Sequence, residues 1–194
     1  MTTTTAPRRI HRDRFADGAV LGLVVIALLA GWLIKAGAEG ATQPLSSEIG
    51  SFNVPTGWRS DKSTGLAAHD TRTASGVPTT FSLATEALDG DPSLNALSTR
   101  RTIKLAQDLD GFSMLSTRTE TVDGNAATML HYAYVVVPAA GTAGSERLPV
   151  VVEATDTLIK HGGQLVVVRF SSESSSFAAL ADLRAKIIAS VKLP

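Results

Sequence analysis

The sequence predicts an α+β fold: a mainly antiparallel sheet with helices, preceded by one transmembrane helix. Three observations predict it. A charge-free apolar run, Gly18 to Ile34, stands near the N-terminus. Beyond it, alternating segments joined at Asp123-Gly124 and at His161-Gly162-Gly163 read as antiparallel hairpins. Two stretches with apolar residues at helical spacing interrupt the strands, one after Asp91 and one after Ser174. Strands, helix, strands, helix is the order of a layered α+β domain.

The chain has 194 residues, enough for one domain plus an appendage. Eighteen basic residues balance eighteen acidic ones, so no overall field favours nucleic acid. A hydrophobic content of 44% supports a real core. Cysteine is absent, which removes disulfides, thiolate metal sites, a cysteine nucleophile and a lipid-modified cysteine together.

Residues 1–17 read as a basic cytoplasmic tail, with Arg8, Arg9, Arg12 and Arg14 set against Asp13 and Asp17. Residues 18–38 read as a transmembrane signal anchor. Its uncharged part spans roughly 25 Å as a helix, near the lower limit for crossing a bilayer. The residues expected in lipid are Val20, Leu23, Val24, Ile26, Leu28, Leu29, Trp32 and Leu33, with Trp32 as the interfacial anchor. Four arginines precede the run and only Lys35 directly follows it. The positive-inside rule therefore places the N-terminus in the cytoplasm and the C-terminal domain outside. The expected location is a bacterial inner membrane crossed once, with a periplasmic domain and the bilayer as first partner. Ala36-Gly37-Ala38 also has the form of a signal-peptidase site, so cleavage after Ala38 is the alternative. The length of the run and Lys35 beside the site oppose it. Residues 39–47, with Gly, Ala, Thr, Gln, Pro and Ser, read as a flexible linker.

Residues 48–194 read as the outer domain. Ser51 to Val54 alternates, and Pro55-Thr56-Gly57 turns the chain before Trp58. Leu66–Asp70 and Thr79–Leu88 are strand candidates. Asp91-Pro92-Ser93 starts a helix whose stripe is Leu94, Leu97, Leu105 and Leu109, ended by Gly111. Arg101 falls within that stripe, so either its stem packs while its head reaches water, or it forms a buried ion pair. Strands follow at Phe112–Val122, Ala126–Val137, Leu148–Lys160 and Gln164–Ser171, with a loop from Pro138 to Arg147. Val150 to Val152 and Val166 to Val168 are apolar on both faces, as in the centre of a covered sheet. Serines 174 to 176 are expected to cap one last helix, with Phe177, Leu180, Ala181, Ile187, Ile188 and Val191 facing inward and Lys192 at the negative end of its dipole.

The motif Phe52-x-Val54-Pro55-x-Gly57-Trp58, then three strands, a helix, a four-stranded meander and a helix ending Ile188-Ala189-Ser190-Val191-Lys192, resembles the Mog1/PsbP-like superfamily, which includes DcrB-type and PsbP-like envelope proteins. The resemblance covers about residues 49–193. It implies an α/β/α sandwich and a small binding or accessory role. It brings no catalytic residues.

The residues themselves suggest no chemistry. His11, His69, His131 and His161 show no zinc spacing. Asp89-Gly90-Asp91 resembles a piece of a calcium loop without the later ligands or the closing glutamate, and a turn before the helix explains it better. No Gly-x-Ser-x-Gly elbow and no phosphate-binding glycine pattern is present. No catalytic, cofactor or metal residue is therefore assigned. Arg100, Arg101 and Lys104 form a basic cluster that is either a solvated helix surface or a partner contact.

Three functional readings follow. The first is a non-catalytic, membrane-anchored accessory subunit docking on a larger membrane complex, photosynthetic or respiratory. The second is an envelope module for a lipid or small apolar ligand, which requires an apolar pocket. The third is a hydrolase with a dispersed triad, which requires a serine, a histidine and an acid in hydrogen-bond order.

Overall fold

The computed structural model describes residues 19–31, 41–61, 66–71, 77–138 and 148–194. It divides into two units, Met1–Ala41 and Thr42–Pro194.

In the first unit, residues 19–31 form helix α1, and every one of them is exposed. Those 13 residues span about 20 Å of a bilayer core of about 30 Å. Among the described residues, no helix is long and apolar enough to cross a membrane. The four arginines, Trp32, Leu33, Lys35 and the Ala36-Gly37-Ala38 site lie outside the described residues.

The second unit begins with a hairpin, β1 (Thr42–Ser47) and β2 (Gly50–Pro55), paired along its whole length. The linker reading of residues 39–47 is thereby corrected over Thr42–Ser47. Leu45 packs on the core and Gln43 donates its side-chain N–H to the Trp58 carbonyl at 2.8 Å, contacts that supply what the Pro- and Ser-rich sequence lacks.

A seven-stranded antiparallel sheet follows: β3 (Arg59–Asp61), β4 (Leu66–His69), β5 (Thr80–Ala87), β6 (Ser113–Val122), β7 (Asn125–Val136), β8 (Val150–His161) and β9 (Gln164–Glu173). Their spatial order is β3-β4-β5-β9-β8-β7-β6. The β6 to β9 meander is the one expected from its turns. Asp123 and Gly124 both take positive φ (49° and 78°), as do Gly162 and Gly163 (56° and 75°), the backbone that tight hairpins require. Residues 139–147, the expected loop between β7 and β8, lie outside the described residues. β3, three exposed polar residues, carries no strand pattern of its own, and with β4 and β5 it makes the three strands that the resemblance implies between Trp58 and the helix.

Alternation on the strands splits the core in two. Phe52, Val54, Trp58, Phe81, Leu83, Val166, Val168 and Phe170 fill one side of the sheet, under the hairpin and the C-terminal helices. Leu97, Leu105, Leu130, Tyr132, Leu158 and Val167 fill the other, under α2 (Leu94–Asp108). Ser93 caps α2 by accepting from the Ala96 N–H at 3.2 Å. Val166 to Val168 are buried on both faces as expected, but Val151 is half exposed because β8 runs past the covering layers at its start.

The single last helix is two pieces, α3 (Ser174–Phe177) and α4 (Ala181–Ala189). The break lets Phe177 enter the core, whereas Ala181 is exposed and Val191 is buried beyond the helix end. Lys192 does not serve the helix dipole. Its backbone bridges Ser51, with N–H to O distances of 2.9 and 2.8 Å, and its ammonium donates to Asp123.

That bridge makes Gly50 indispensable. It sits at φ 139°, and a Cβ there would lie 2.6 Å from the Lys192 carbonyl oxygen. Gly50→Ala is expected to lower stability by about 1–3 kcal/mol through backbone strain, read as a lower urea midpoint. A midpoint equal to that of the wild type would contradict the bridge.

Candidate functional site

Two polar constellations lie between the sheet and its helices. The first centres on Asp156 of β8, which is 0% exposed. Its neighbours on the same strand face, Ala154 and Leu158, belong to the core under α2. Asp156 therefore points into an apolar layer, where an unpaired carboxylate is untenable. Four donors surround it. Arg169, opposite it on β9, reaches both oxygens, Nε to Oδ1 at 2.7 Å and Nη2 to Oδ2 at 3.0 Å. The Tyr132 hydroxyl donates to Oδ1 at 2.9 Å, and Nε of Arg101 on α2 donates to Oδ2 at 2.8 Å. Nη1 of Arg101 extends outward to Glu86 at 3.1 Å.

The electrostatics follow. Burial pushes the Asp156 carboxyl upward, but the hydrogen bonds and charge of Arg169, with those of Arg101, outweigh it and hold the group below the ordinary carboxylate range. Burial disfavours the Arg169 cation, yet Asp156 lifts its pKa above the usual arginine value. Burial first, and the Asp156 charge second, raise the Tyr132 hydroxyl. A carboxylate held charged by four donors offers a reaction neither a proton nor a free lone pair. Its role is to fasten β7, β8, β9 and α2 together.

The second constellation lies under the C-terminal helices. His131 Nε2 is 3.0 Å from one oxygen of Glu153, and the Ser174 hydroxyl donates to the other. The imidazole stacks on Phe177 with centroids 5.0 Å apart and planes 8° apart, and the Arg184 guanidinium lies over the same ring at 4.4 Å. Burial lowers the Arg184 pKa, with the charge of Arg118 adding to it. The order here is Ser–Glu–His. A nucleophile needs its hydroxyl on the histidine, with the acid behind it. The arrangement holds α3 to the sheet instead.

The other sequence candidates are dispersed. His69 ends β4, and His161 Nε2 lies 2.9 Å from the Pro194 carbonyl, while His11 lies outside the described residues. Asp91 pairs with Lys160, which also donates to the Pro92 carbonyl at 2.9 Å, so the Asp89-Gly90-Asp91 segment anchors the approach to α2. Among the described residues no group of three His, Asp or Glu side chains is set to hold a metal ion. Arg100 and Lys104 are exposed on α2, available to a partner, but Arg101 is not. Its guanidinium is occupied by Asp156 and Glu86, which corrects its place in the proposed contact and realises the ion-pair alternative. Sequence reasoning missed Asp156 and Arg169. The available signal was one charge inside each of two otherwise uncharged runs, Asp156 in residues 154–159 and Arg169 in residues 165–170.

Surface clefts complete the description. One of about 600 Å³ lies between α2 and the outer strands, lined by Leu94, Asn95, Ser98, Thr117, Thr119 and Thr128. A smaller one, about 370 Å³, lies at the β8–β9 turn beside His161 and Glu48. Where Arg100, Lys104 and Leu165 meet between α2 and the sheet, the free volume is about 60 Å³.

No family model matches the sequence, and no curated protein matches it. Solved structures do match in shape. Cyanobacterial PsbP (CyanoP) from Synechocystis sp. PCC 6803 aligns with a TM-score of 0.56 at 14% identity, covering 79% of this chain and 93% of that one. LpqN, involved in cell envelope biogenesis of Mycobacterium tuberculosis, aligns at 0.53 and 18%, covering 79% and 91%. The Ran-binding protein Mog1p of Saccharomyces cerevisiae aligns at 0.52 and 12%, covering 79% and 95%. This is the Mog1/PsbP-like fold. In this chain the Mog1/PsbP-like sheet carries Asp156, the one fully buried charge among the described residues, under α2.

Asp156→Ala is expected to cost about 3–5 kcal/mol, because it strands two arginines and a tyrosine hydroxyl, and urea unfolding measures it. The pH dependence has a definite sign. The folded carboxyl titrates below its unfolded value of about 3.9, so the contribution is complete above the ordinary carboxylate range and is lost as pH falls through the depressed folded value. Asp156→Asn is expected to flatten this part of the acid limb. An acid limb as steep as that of the wild type would show that Asp156 does not carry it.

Proposed function

We propose that the chain is a non-catalytic accessory subunit, held at a bacterial inner membrane by its N-terminal segment, whose extracytoplasmic Mog1/PsbP-like domain docks on a larger membrane complex, photosynthetic or respiratory. One observation carries the non-catalytic part. Both polar constellations have their acids engaged by internal partners, four contacts on Asp156 and two on Glu153, so their groups hold elements together. One neighbour in fold, Mog1p, is a Ran-binding protein, which agrees with a protein partner. The anchoring part rests on α1. Val20, Leu21, Leu23, Ile26, Leu28 and Leu29 are all more than half exposed, and a helix apolar on every side needs lipid or protein around it. Tethering raises the local concentration of a domain near a membrane partner without requiring a strong interface.

The ligand-module reading is less favoured. The cleft of about 600 Å³ beside α2 has the volume for a ligand, but apart from Leu94 its lining side chains are polar, and the space between α2 and the sheet at Leu97 and Leu165 is about 60 Å³, below the few hundred that an apolar ligand occupies. The hydrolase reading lacks its hydroxyl-to-histidine contact at Ser174.

Two measurements test the proposal. The full chain is expected to stay in membranes after alkaline carbonate washing, and a chain without residues 1–41 to be released. Full chain in the first soluble fraction would overturn the anchor. Purification in mild detergent, with mass spectrometry of the native band, is expected to recover stoichiometric membrane subunits. A protein that always migrates without them would overturn the accessory role.

A further inference from the structure

The two edges of the sheet are not alike. β3 closes one edge with three residues, too short to template another strand. β6 closes the other with ten, and among the described residues no strand pairs with its outer side. Natural edges are usually blunted by charged side chains, proline or a bulge. β6 carries no proline, its bulge lies at Met114/Ser116, near its start, and its two charges, Arg118 and Glu120, are of opposite sign and so repel neither each other nor a matching strand. From Thr117 to Thr119 every residue is exposed, and Thr121 is too. This is a regular, accessible edge.

Its sequence is self-complementary. Thr117, Thr119 and Thr121 alternate with Arg118 and Glu120. A two-fold axis through Thr119 would set a second β6 antiparallel to the first. Thr119 would then face its own copy, Thr117 would face Thr121, and Arg118 would face Glu120 in both directions. Opposite charges and threonine pairs placed directly across strands are favourable. Other alignments lose this. An axis through Arg118 sets arginine against arginine, and one through Glu120 sets glutamate against glutamate. The Arg118 guanidinium has room for a second carboxylate, with 61% of its side chain exposed and a single 3.5 Å contact to Glu120.

We propose that β6 is the homodimerisation edge of this protein, pairing antiparallel with β6 of a second copy about Thr119 to join two seven-stranded sheets into one. The cleft beside α2, which Thr117 and Thr119 line, flanks the same edge, so the two copies would bring their clefts together across the axis. The inference does not depend on the anchor, and a monomeric protein would leave docking on a membrane complex standing.

The absence of cysteine makes the test clean. Thr119→Cys and Thr121→Cys are made in the full chain, in detergent micelles, and oxidised. Residue 119 lies opposite itself, within the 4.4–6.8 Å span of a disulfide, whereas the two copies of residue 121 stand about 14 Å apart along the strands. Thr119→Cys is expected to give a covalent dimer and Thr121→Cys to give none. Sedimentation of the otherwise unaltered chain is expected to show a dimer that Arg118→Glu abolishes and that Arg118→Glu with Glu120→Arg restores. Equal cross-linking at both positions would place association elsewhere in the chain and overturn the proposal. So would a monomer in both assays, or a Thr119→Cys adduct with a different protein.

Discussion

The constraint on which the rest depends is the burial of one carboxylate. Moving an ion out of water costs several kcal/mol, and only close, well-aligned donors offset that cost. Asp156, on β8, meets four of them, from two neighbouring strands and one helix. The cluster therefore acts less as a source of stability than as a constraint on arrangement. α2 is admitted only where Arg101 reaches Oδ2, and β9 only in the register that sets Arg169 opposite Asp156. An apolar layer alone would tolerate small slides of the helix across the sheet, whereas a buried ion that must be paired does not.

With the interior charges engaged, the surface is left to act. α2 covers one face, and the C-terminal pieces with the β1–β2 hairpin cover the other. The Ser51–Lys192 bridge and the Glu153 contacts tie that second layer down at both ends. Among the described residues the open features include a hydroxyl-lined cleft, exposed cations such as Arg100 and Lys104, and the long edge of β6. These features suit recognition of another polypeptide better than chemistry on a small molecule.

Much of the fold was legible because local chemistry and tertiary demand agree. Asp123-Gly124 and Gly162-Gly163 have little use outside tight hairpins, and Ser93 both begins α2 in the sequence and caps it in the structure. Where they disagree, the sequence misleads. Thr42–Ser47 has linker composition, and becomes a strand only because β2 offers a ladder and the core a place for Leu45. One helix was expected after Ser174, but the stack of Phe177 on His131 ends the first turn and restarts the chain. Arg101 looked like part of a surface cluster because its partner is 55 positions away. Charges at Asp156 and Arg169, inside otherwise uncharged runs of two strands, were the readable trace of that partner. The likeness of the Pro55-x-Gly57-Trp58 turn and of the element order to Mog1/PsbP-like proteins anticipated the fold correctly. It carried no site residues, because the fold is shared where residues are not.

Amide hydrogen exchange in Asp156→Asn, compared with the wild type, tests the central claim most directly. If the buried carboxylate positions α2, amides from Leu97 to Leu105 lose protection well before those of β2 and α4, because the helix comes away from the sheet as a unit. Protection of α2 equal to that of the wild type, or a uniform loss over both layers, would contradict the account.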